Sequence, residues 1–360
     1  MTICYFGDYD AGYNRTHVLL TGLRAAGVTV IECNVRGKSG WALYRELWRK
    51  HRDLKGSYDL LFVGLGNARF MPLFARLISR KPVVWEPLFA LYDNWVHDRK
   101  YVHPYSLKAL KLWLVDFIGC HAAGLVILDV DTHARYFMSL FGLPRRKVAH
   151  AYVGADPDLF KPAAKQTSDE IFEVEFHGKY IPLHGTDVIV RAAQILSDEK
   201  IHFTLIGDGQ DAQKCKDLAQ ELGVTNVTFL PWMSEAEIVP YIRDADLCTA
   251  MLGDVPRVVR SIPNKMYQAA AMARVSINAE SSSLREVFTP GVDALAVQPG
   301  NPEALAAAIL ELKRSGKARA MGEAAYQTYL KTSTPAHVGQ QVVEAIRTRF
   351  PGMKSNPGSI

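Results

Sequence analysis

The sequence predicts an α/β protein of two Rossmann-like, doubly wound parallel-sheet domains facing a cleft, on three observations. Short apolar runs that do not alternate recur with amphipathic helices between them, the pattern of strands buried on both faces. The series halts in a Gly-, Pro- and polar-rich stretch near 154–170 and then begins again. The chain's 360 residues suffice for two domains of ordinary size.

In the first domain, 1–158, strands are expected at Thr2–Phe6, Val28–Cys33, Asp59–Val63, Pro82–Trp85 and Gly124–Leu128. Helices are expected at Thr16–Ala26, Trp41–Leu54, Ala68–Ile78, Ser106–Gly119 and Thr132–Phe141. The second domain, 159–325, carries strands at Phe172–Phe176, His202–Ile206, Val227–Leu230, Asp246–Ala250, Val275–Asn278 and Leu295–Val297. Between them lie helices Gly185–Ser197, Asp211–Leu222, Glu235–Arg243, Pro263–Ala273 and Pro302–Arg314. Two closing helices are expected at about Gly322–Leu330 and Ala336–Arg347, with 326–350 as a closing segment, and 351–360 reads as a disordered tail. Strands separated by helices imply right-handed crossovers, and two such sheets put a ligand cleft at the carboxyl ends of their strands.

Hydrophobic content of 48% and charged content of 22% are those of a soluble globular protein. The chain opens directly on a strand-like run, with no secretory pattern, and Leu107–Val130 is too interrupted by charge to span a bilayer. Five scattered cysteines form no CxxC pair and no zinc spacing. A cytoplasmic location, with contact to the inner face of the membrane, follows as an expectation. Residues 1–150 carry 21 Lys/Arg against 12 Asp/Glu, whereas the whole chain is only +5. The basic residues are spread over several elements and no nucleic-acid module is present, so nucleic acid is not expected. An anionic membrane surface or lipid phosphate suits the charge better, and solvated basic helix faces suit it equally. Trp41–Leu54 sets Trp41, Tyr44, Leu47, Trp48 and His51 on one face and Arg45, Arg49, Lys50 and Arg52 around the other. That pattern fits a core helix with a basic outer face, or docking on an anionic membrane.

The chemistry concentrates in the second half. Gly178-Lys179-Tyr180-Ile181-Pro182-Leu183-His184-Gly185 joins a strand to a helix. Glycines at both ends let backbone approach a ligand, and a helix N-terminus behind them favours an anion. An ordinary βα turn with a surface lysine reads the same way. Further on, Arg257, Arg260 and Lys265 gather at the start of a helix opened by Pro263. Cations at a helix N-terminus oppose the dipole unless an anion lies between them.

These two segments, in this order, resemble the donor half of the retaining GT-B glycosyltransferases of family 4 (group 1). Val153-Gly154-Ala155-Asp156-Pro157-Asp158-Leu159-Phe160 resembles that family's linker, and Leu205-Ile206-Gly207-Asp208-Gly209 its Gly-x-Gly turn. Leu230-Pro231-Trp232 falls where the base is bound, and Pro299-Gly300-Asn301-Pro302 matches the ending. The resemblance is strongest over 120–315. It implies transfer of a sugar from a nucleoside diphosphate sugar to a glycan or lipid-linked acceptor, with retention, in cell-surface polysaccharide or glycolipid synthesis. It implies donor phosphates bound by Gly178, Lys179, His184, Arg257, Arg260 and Lys265, and ribose and base by Gln268, Pro231, Trp232 and Gly207. The usual Glu pair is replaced by Arg260 and Gln268, and a fixed phosphate-binding cation by His184. The cations and helix N-termini would neutralise the leaving diphosphate without a metal or cofactor. The first domain would supply Gly7, Gly12, Asn14, Arg15 and Asp93 toward the acceptor. Glu86 stands where relatives carry a catalytic His, so Glu86, Lys179 and Arg260 are the catalytic candidates.

Other classes remain open. A catalytically degenerate nucleotide-sugar-binding protein would keep the pocket, and an epimerase of the same fold would convert the donor alone. Gly207-x-Gly209-x-x-Ala212 formally fits a dinucleotide fingerprint, but Thr228-Phe229-Leu230-Pro231 provides no acidic residue for the ribose.

Overall fold

The structure, a computed structural model, describes residues 1–66, 68–168 and 170–353. The expected tail lies, from residue 354 on, outside the described residues. The chain forms two compact units. The first comprises Met1–Val96, Tyr101–Gly154 and the chain from Ser333 onward; the second comprises His97–Lys100 and Ala155–Thr332.

The first unit is built on one parallel sheet of β1 (Thr2–Gly7), β2 (Thr29–Asn34), β3 (Leu60–Val63), β4 (Val83–Trp85), β5 (Leu125–Leu128) and β6 (Val148–His150), in the order β2-β1-β3-β4-β5-β6. Its helices are α1 (Asn14–Ala25), α2 (Gly40–Asp53), α3 (Met71–Ile78), α4 (Leu91–Asp93), α5 (Leu107–Ala122) and α6 (Asp131–Phe141). Phe6, Leu61, Val126 and Leu128 face one core together with α2, α3, α5 and α6. Ile3, Tyr5, Phe62 and Ile127 face the other side with α1. Because alternate residues of β1, β3, β4 and β5 enter different cores, these four strands read as continuous apolar runs.

The second sheet joins β7 (Phe172–Lys179), β8 (Ile201–Asp208), β9 (Val227–Leu230), β10 (Leu247–Thr249), β11 (Ser276–Ala279) and β12 (Leu295–Val297). Its order is β12-β11-β10-β7-β8-β9, all parallel. Helices α7 (Thr186–Ile195), α8 (Ala212–Glu221), α9 (Glu235–Asp244), α10 (Asn264–Ala271), α11 (Pro302–Ser315) and α12 (Ala318–Thr332) complete the unit.

The chain differs from the sequence expectation in four places. The first unit ends at Gly154 rather than Asp158. The closing helices are not a segment of their own: α12 stays with the second unit, and α13 (Pro335–Arg349) returns to the first. It packs on α1 through Gly22 and Gly339, where a Cβ on Gly339 would lie 1.9 Å from the Gly22 carbonyl oxygen. The short β6 and α4, which continues as one wider turn over Asn94–Asp98, escaped the sequence reading because three residues make no period. In α2 the inward residues are Leu43, Leu47 and His51, while Trp41 and Trp48 are exposed.

Candidate functional site

In the second sheet the strand order reverses between β7 and β10, and open α/β sheets bind ligands outside the carboxyl ends of such a pair. The loop after β7 and the loop after β10 meet there. Leu252 N–H donates to the His184 carbonyl at 3.2 Å and Gly253 N–H to that of Leu183 at 3.3 Å. This contact explains Gly185, whose φ is +61° and whose Cβ would lie 2.5 Å from the Gly253 nitrogen. Loop-on-loop packing by itself requires a glycine here. Gly207 has a similar internal reason: a Cβ there would lie 1.9 Å from the Gly178 carbonyl oxygen.

Two basic groups crowd this corner. Lys265, on the first turn of α10, is 5% exposed, and its Nζ lies 4.0 Å from the centre of the Phe176 ring. A Cβ on Gly178 would meet that Nζ at 3.0 Å, so the ammonium faces the end of β7. Among the described residues it has no hydrogen-bond partner. Burial lowers its pKa to about 7, with the buried Glu175 carboxylate acting in the opposite sense. His184 is held well below the ordinary imidazole value, first by desolvation and then by Lys265. Its Nδ1 lies 2.5 Å from the Lys179 carbonyl oxygen, which can only accept. The proton of the neutral ring is therefore on Nδ1, and Nε2 carries a lone pair. An anion placed here would restore charge to both groups.

Beside them, His177 Nε2 lies 3.0 Å from Gln268 Oε1, and His177 Nδ1 lies 2.8 Å from Glu175 Oε1. All three side chains are buried. Gln268 thus reaches the site already oriented from behind. Sequence reasoning missed Glu175 and His177, although their spacing of two along β7 puts them on one strand face. Lys179 Nζ sits 4.6 Å from the centre of the exposed Trp232 ring, bringing two expected site residues together, and Pro231 beside it is exposed. Arg257 instead pairs with the buried Asp98 carboxylate at 2.5 Å, from the short segment that the chain contributes to this unit. Arg260 is half-buried, and its N–H closes a turn on the Arg257 carbonyl at 2.9 Å.

In the first unit, several residues expected on the acceptor side are interior. Glu86 and Arg15 are both fully buried and form an ion pair at 3.1 Å. Arg15 also donates to the Ala151 and Tyr152 carbonyls. Burial raises the Glu86 pKa, with Arg15 opposing that rise. Asn14 donates to the Gly154 carbonyl at 3.0 Å, and buried Asp93 accepts from the Tyr136 hydroxyl at 2.8 Å. These side chains hold the domain together and are turned away from solvent; Glu86 is therefore corrected from a substrate-facing position to an interior one. Gly7 ends β1, and exposed Gly12 lies on the loop after it. A cavity of about 420 Å³ opens beside that loop, at the β1/β3 order reversal, lined by Asp8, Asp10, Tyr13, Arg36, Lys38 and Arg69. Asp8 and Asp10 lie between the expected Gly7 and Gly12; Arg36 and Arg69 come from later loops and carried no local signal.

Two parallel six-stranded Rossmann-like sheets of these orders define a GT-B protein. Residues 172–315, which fall within the second unit, match the family described as "Glycosyl transferases group 1". The fold matches HepE from Anabaena, solved with UDP-glucose, at TM-score 0.72 and 17% identity over 97% of this chain and 100% of that one. It matches sucrose-phosphate synthase from Thermosynechococcus elongatus at TM-score 0.77 and 15% identity, over 98% and 100%. In sequence the chain is 27% identical over 217 residues to D-inositol 3-phosphate glycosyltransferase from Mycobacterium leprae, covering 56% of this chain and 49% of that protein. The chain spans about half the length of that relative.

Proposed function

We propose that the protein is a glycosyltransferase that takes a sugar from a nucleoside diphosphate sugar, and that the diphosphate lies between Lys265, His184 and the N-termini of α7 and α10. The observation that carries this reading is the Lys265 ammonium: buried, without an acceptor, and aimed at the strand reversal where such folds bind ligands. A buried unpaired cation is costly and calls for an anion. The helix N-termini add donors and positive potential at the same place, and Gln268 would hydrogen-bond ribose hydroxyls. In the transfer the bond from the anomeric carbon to the phosphate oxygen breaks, an acceptor oxygen takes its place, and the acceptor proton leaves with the diphosphate. Positive groups around the departing phosphates stabilise the charge that develops there, with no metal required. Retention, a glycan or lipid-linked acceptor and a part in cell-surface polysaccharide or glycolipid synthesis belong to this reading. So does work at the inner face of a membrane. No helix among the described residues is long and apolar enough to cross one.

Calorimetric titration with UDP and UDP-glucose tests the donor site. Binding that Lys265→Met weakens at least about tenfold supports it; no heat with any nucleoside diphosphate would remove it. The interior position of Glu86 favours a second reading, binding without turnover. Nucleotide release from a bound donor upon addition of acceptor glycans or lipids decides between the two.

A further inference from the structure

The helices α2, α3 and α5 lie side by side over one face of the first sheet. Tyr44 of α2 meets Phe74 of α3 with ring centres 4.9 Å apart, and α3 packs along α5. The outward side of α5 is a leucine stripe. Leu107, Leu110 and Leu114 recur at helical spacing and are 86%, 52% and 42% exposed. On α3, Leu77 is 76% exposed between Arg76 and Arg80, and on α2 both Trp41 and Trp48 face outward. A single exposed leucine needs no explanation, but a row of them across three adjacent helices does.

Where α3 and α5 end, a cavity of about 610 Å³ opens at the amino-terminal edge of the sheet. Arg76, Arg80, His121, Arg146, Lys147 and Arg349 contribute to its wall, and no carboxylate does. Lys147 Nζ donates to the His121 carbonyl at 2.8 Å, and Arg349 Nε to that of Gly124 at 2.9 Å, so two of the cations are fixed in place by backbone. Burial, and Arg349 beside it, hold the Lys147 ammonium below its ordinary pKa, in contrast with cations neutralised by a carboxylate.

We propose that this outer face docks on an anionic phospholipid bilayer, with a headgroup phosphate seated in the cationic pocket and the leucines and tryptophans entering the headgroup region. The charge selects the occupant: a second protein would have to bring a dense acidic patch, whereas an anionic leaflet presents apolar chains and phosphates together. The surface rests on the reading that the protein works at a membrane but not on the donor site, so vesicle flotation and UDP titration fail separately.

Vesicle flotation tests it, with phosphatidylcholine alone and mixed with phosphatidylglycerol, at low and high salt. Binding to the mixed vesicles only, weakened by salt, is expected. Leu110→Ser/Leu114→Ser and, separately, Arg80→Ala/Lys147→Ala should each reduce partition by about tenfold. Both variants lie outside the donor site, so unchanged melting and unchanged UDP titration separate loss of docking from loss of fold or of donor binding. No binding to mixed vesicles, equal binding to neutral ones, or full binding by either variant would overturn the proposal. Inorganic phosphate or glycerophosphoglycerol raising the melting temperature of the wild type but not of the Arg80/Lys147 variant, without vesicle binding, would overturn it in favour of a soluble phosphate ligand.

Discussion

The Lys265 ammonium and the Phe176 ring face each other at 4.0 Å, an aromatic surface standing where a carboxylate would ordinarily neutralise a buried lysine. The ring compensates part of the lost hydration and leaves the cation able to accept an anion. With its pKa lowered to about 7, this lysine is about half protonated at neutral pH.

Diphosphate binding should therefore take up protons. In the free protein Lys265 is lowered to about 7 and His184 lies well below its ordinary value. A bound dianion favours the charged form of both and raises both. Titrations of UDP in buffers of different ionisation heat should show net proton uptake near neutrality. Affinity should fall by about tenfold between about pH 7 and 8.5, as Lys265 loses its proton. Lys265→Met should abolish the Lys265 part of this dependence; a flat profile in the wild type would show that the anion sits elsewhere.

Protein stability should respond to the same lysine in the opposite direction. Its folded pKa is below the unfolded value of 10.5, so between about 7 and 10.5 the unfolded chain binds the extra proton. That group's contribution rises with pH across this window. Denaturant midpoints of wild type and Lys265→Met should diverge most below about pH 7, where the buried charge is fully present, and converge toward about pH 10.5.

Gln268 should contribute to nucleoside recognition more than to phosphate binding. Gln268→Ala is expected to weaken UDP by about fivefold to tenfold, the worth of one hydrogen bond, while leaving pyrophosphate affinity within about twofold. His177→Ala, which removes the group behind Gln268 at 3.0 Å, should show a smaller loss of the same kind. Equal losses for UDP and pyrophosphate would place Gln268 at the phosphates instead.

The Arg15–Glu86 pair should be a structural necessity of the first unit. Glu86→Ala leaves a fully buried guanidinium without its partner and should cost about 3 kcal/mol or more in chemical denaturation. The double variant Arg15→Met/Glu86→Leu should be less destabilised than either single one. Donor titration at a temperature where the variant is folded should be unaffected.

Gly185→Ala combines a left-handed φ of +61° with a Cβ only 2.5 Å from the Gly253 nitrogen. The strain alone is worth about 1–2 kcal/mol, and relief requires the two site loops to separate. Lower thermal stability together with weaker UDP binding is expected; a change in stability alone would detach loop packing from the site.

Much of this protein is legible along the chain. Buried parallel strands leave unbroken apolar runs, and helix starts carry local cues, so nearly every strand and helix of both sheets emerges from spacing alone. The Gly178–Gly185 loop and the Arg257–Lys265 helix start are likewise local patterns, because turn glycines, a helix-opening proline and clustered charges lie next to one another in the chain. Contacts between distant residues leave no such trace. Nothing near Arg257 points to Asp98, 159 positions away, and nothing near Glu86 announces Arg15. Nor does the period of α13 reveal that it leaves the second unit to pack on α1 through two glycines. Periodicity and turn chemistry depend on neighbours a few residues apart, so they specify the elements and the candidate loops. Whether a charged side chain ends in an ion pair or buried without one depends on what the folded chain brings against it, and for Arg15, Glu86, Arg257 and Lys265 that is a matter of long-range packing.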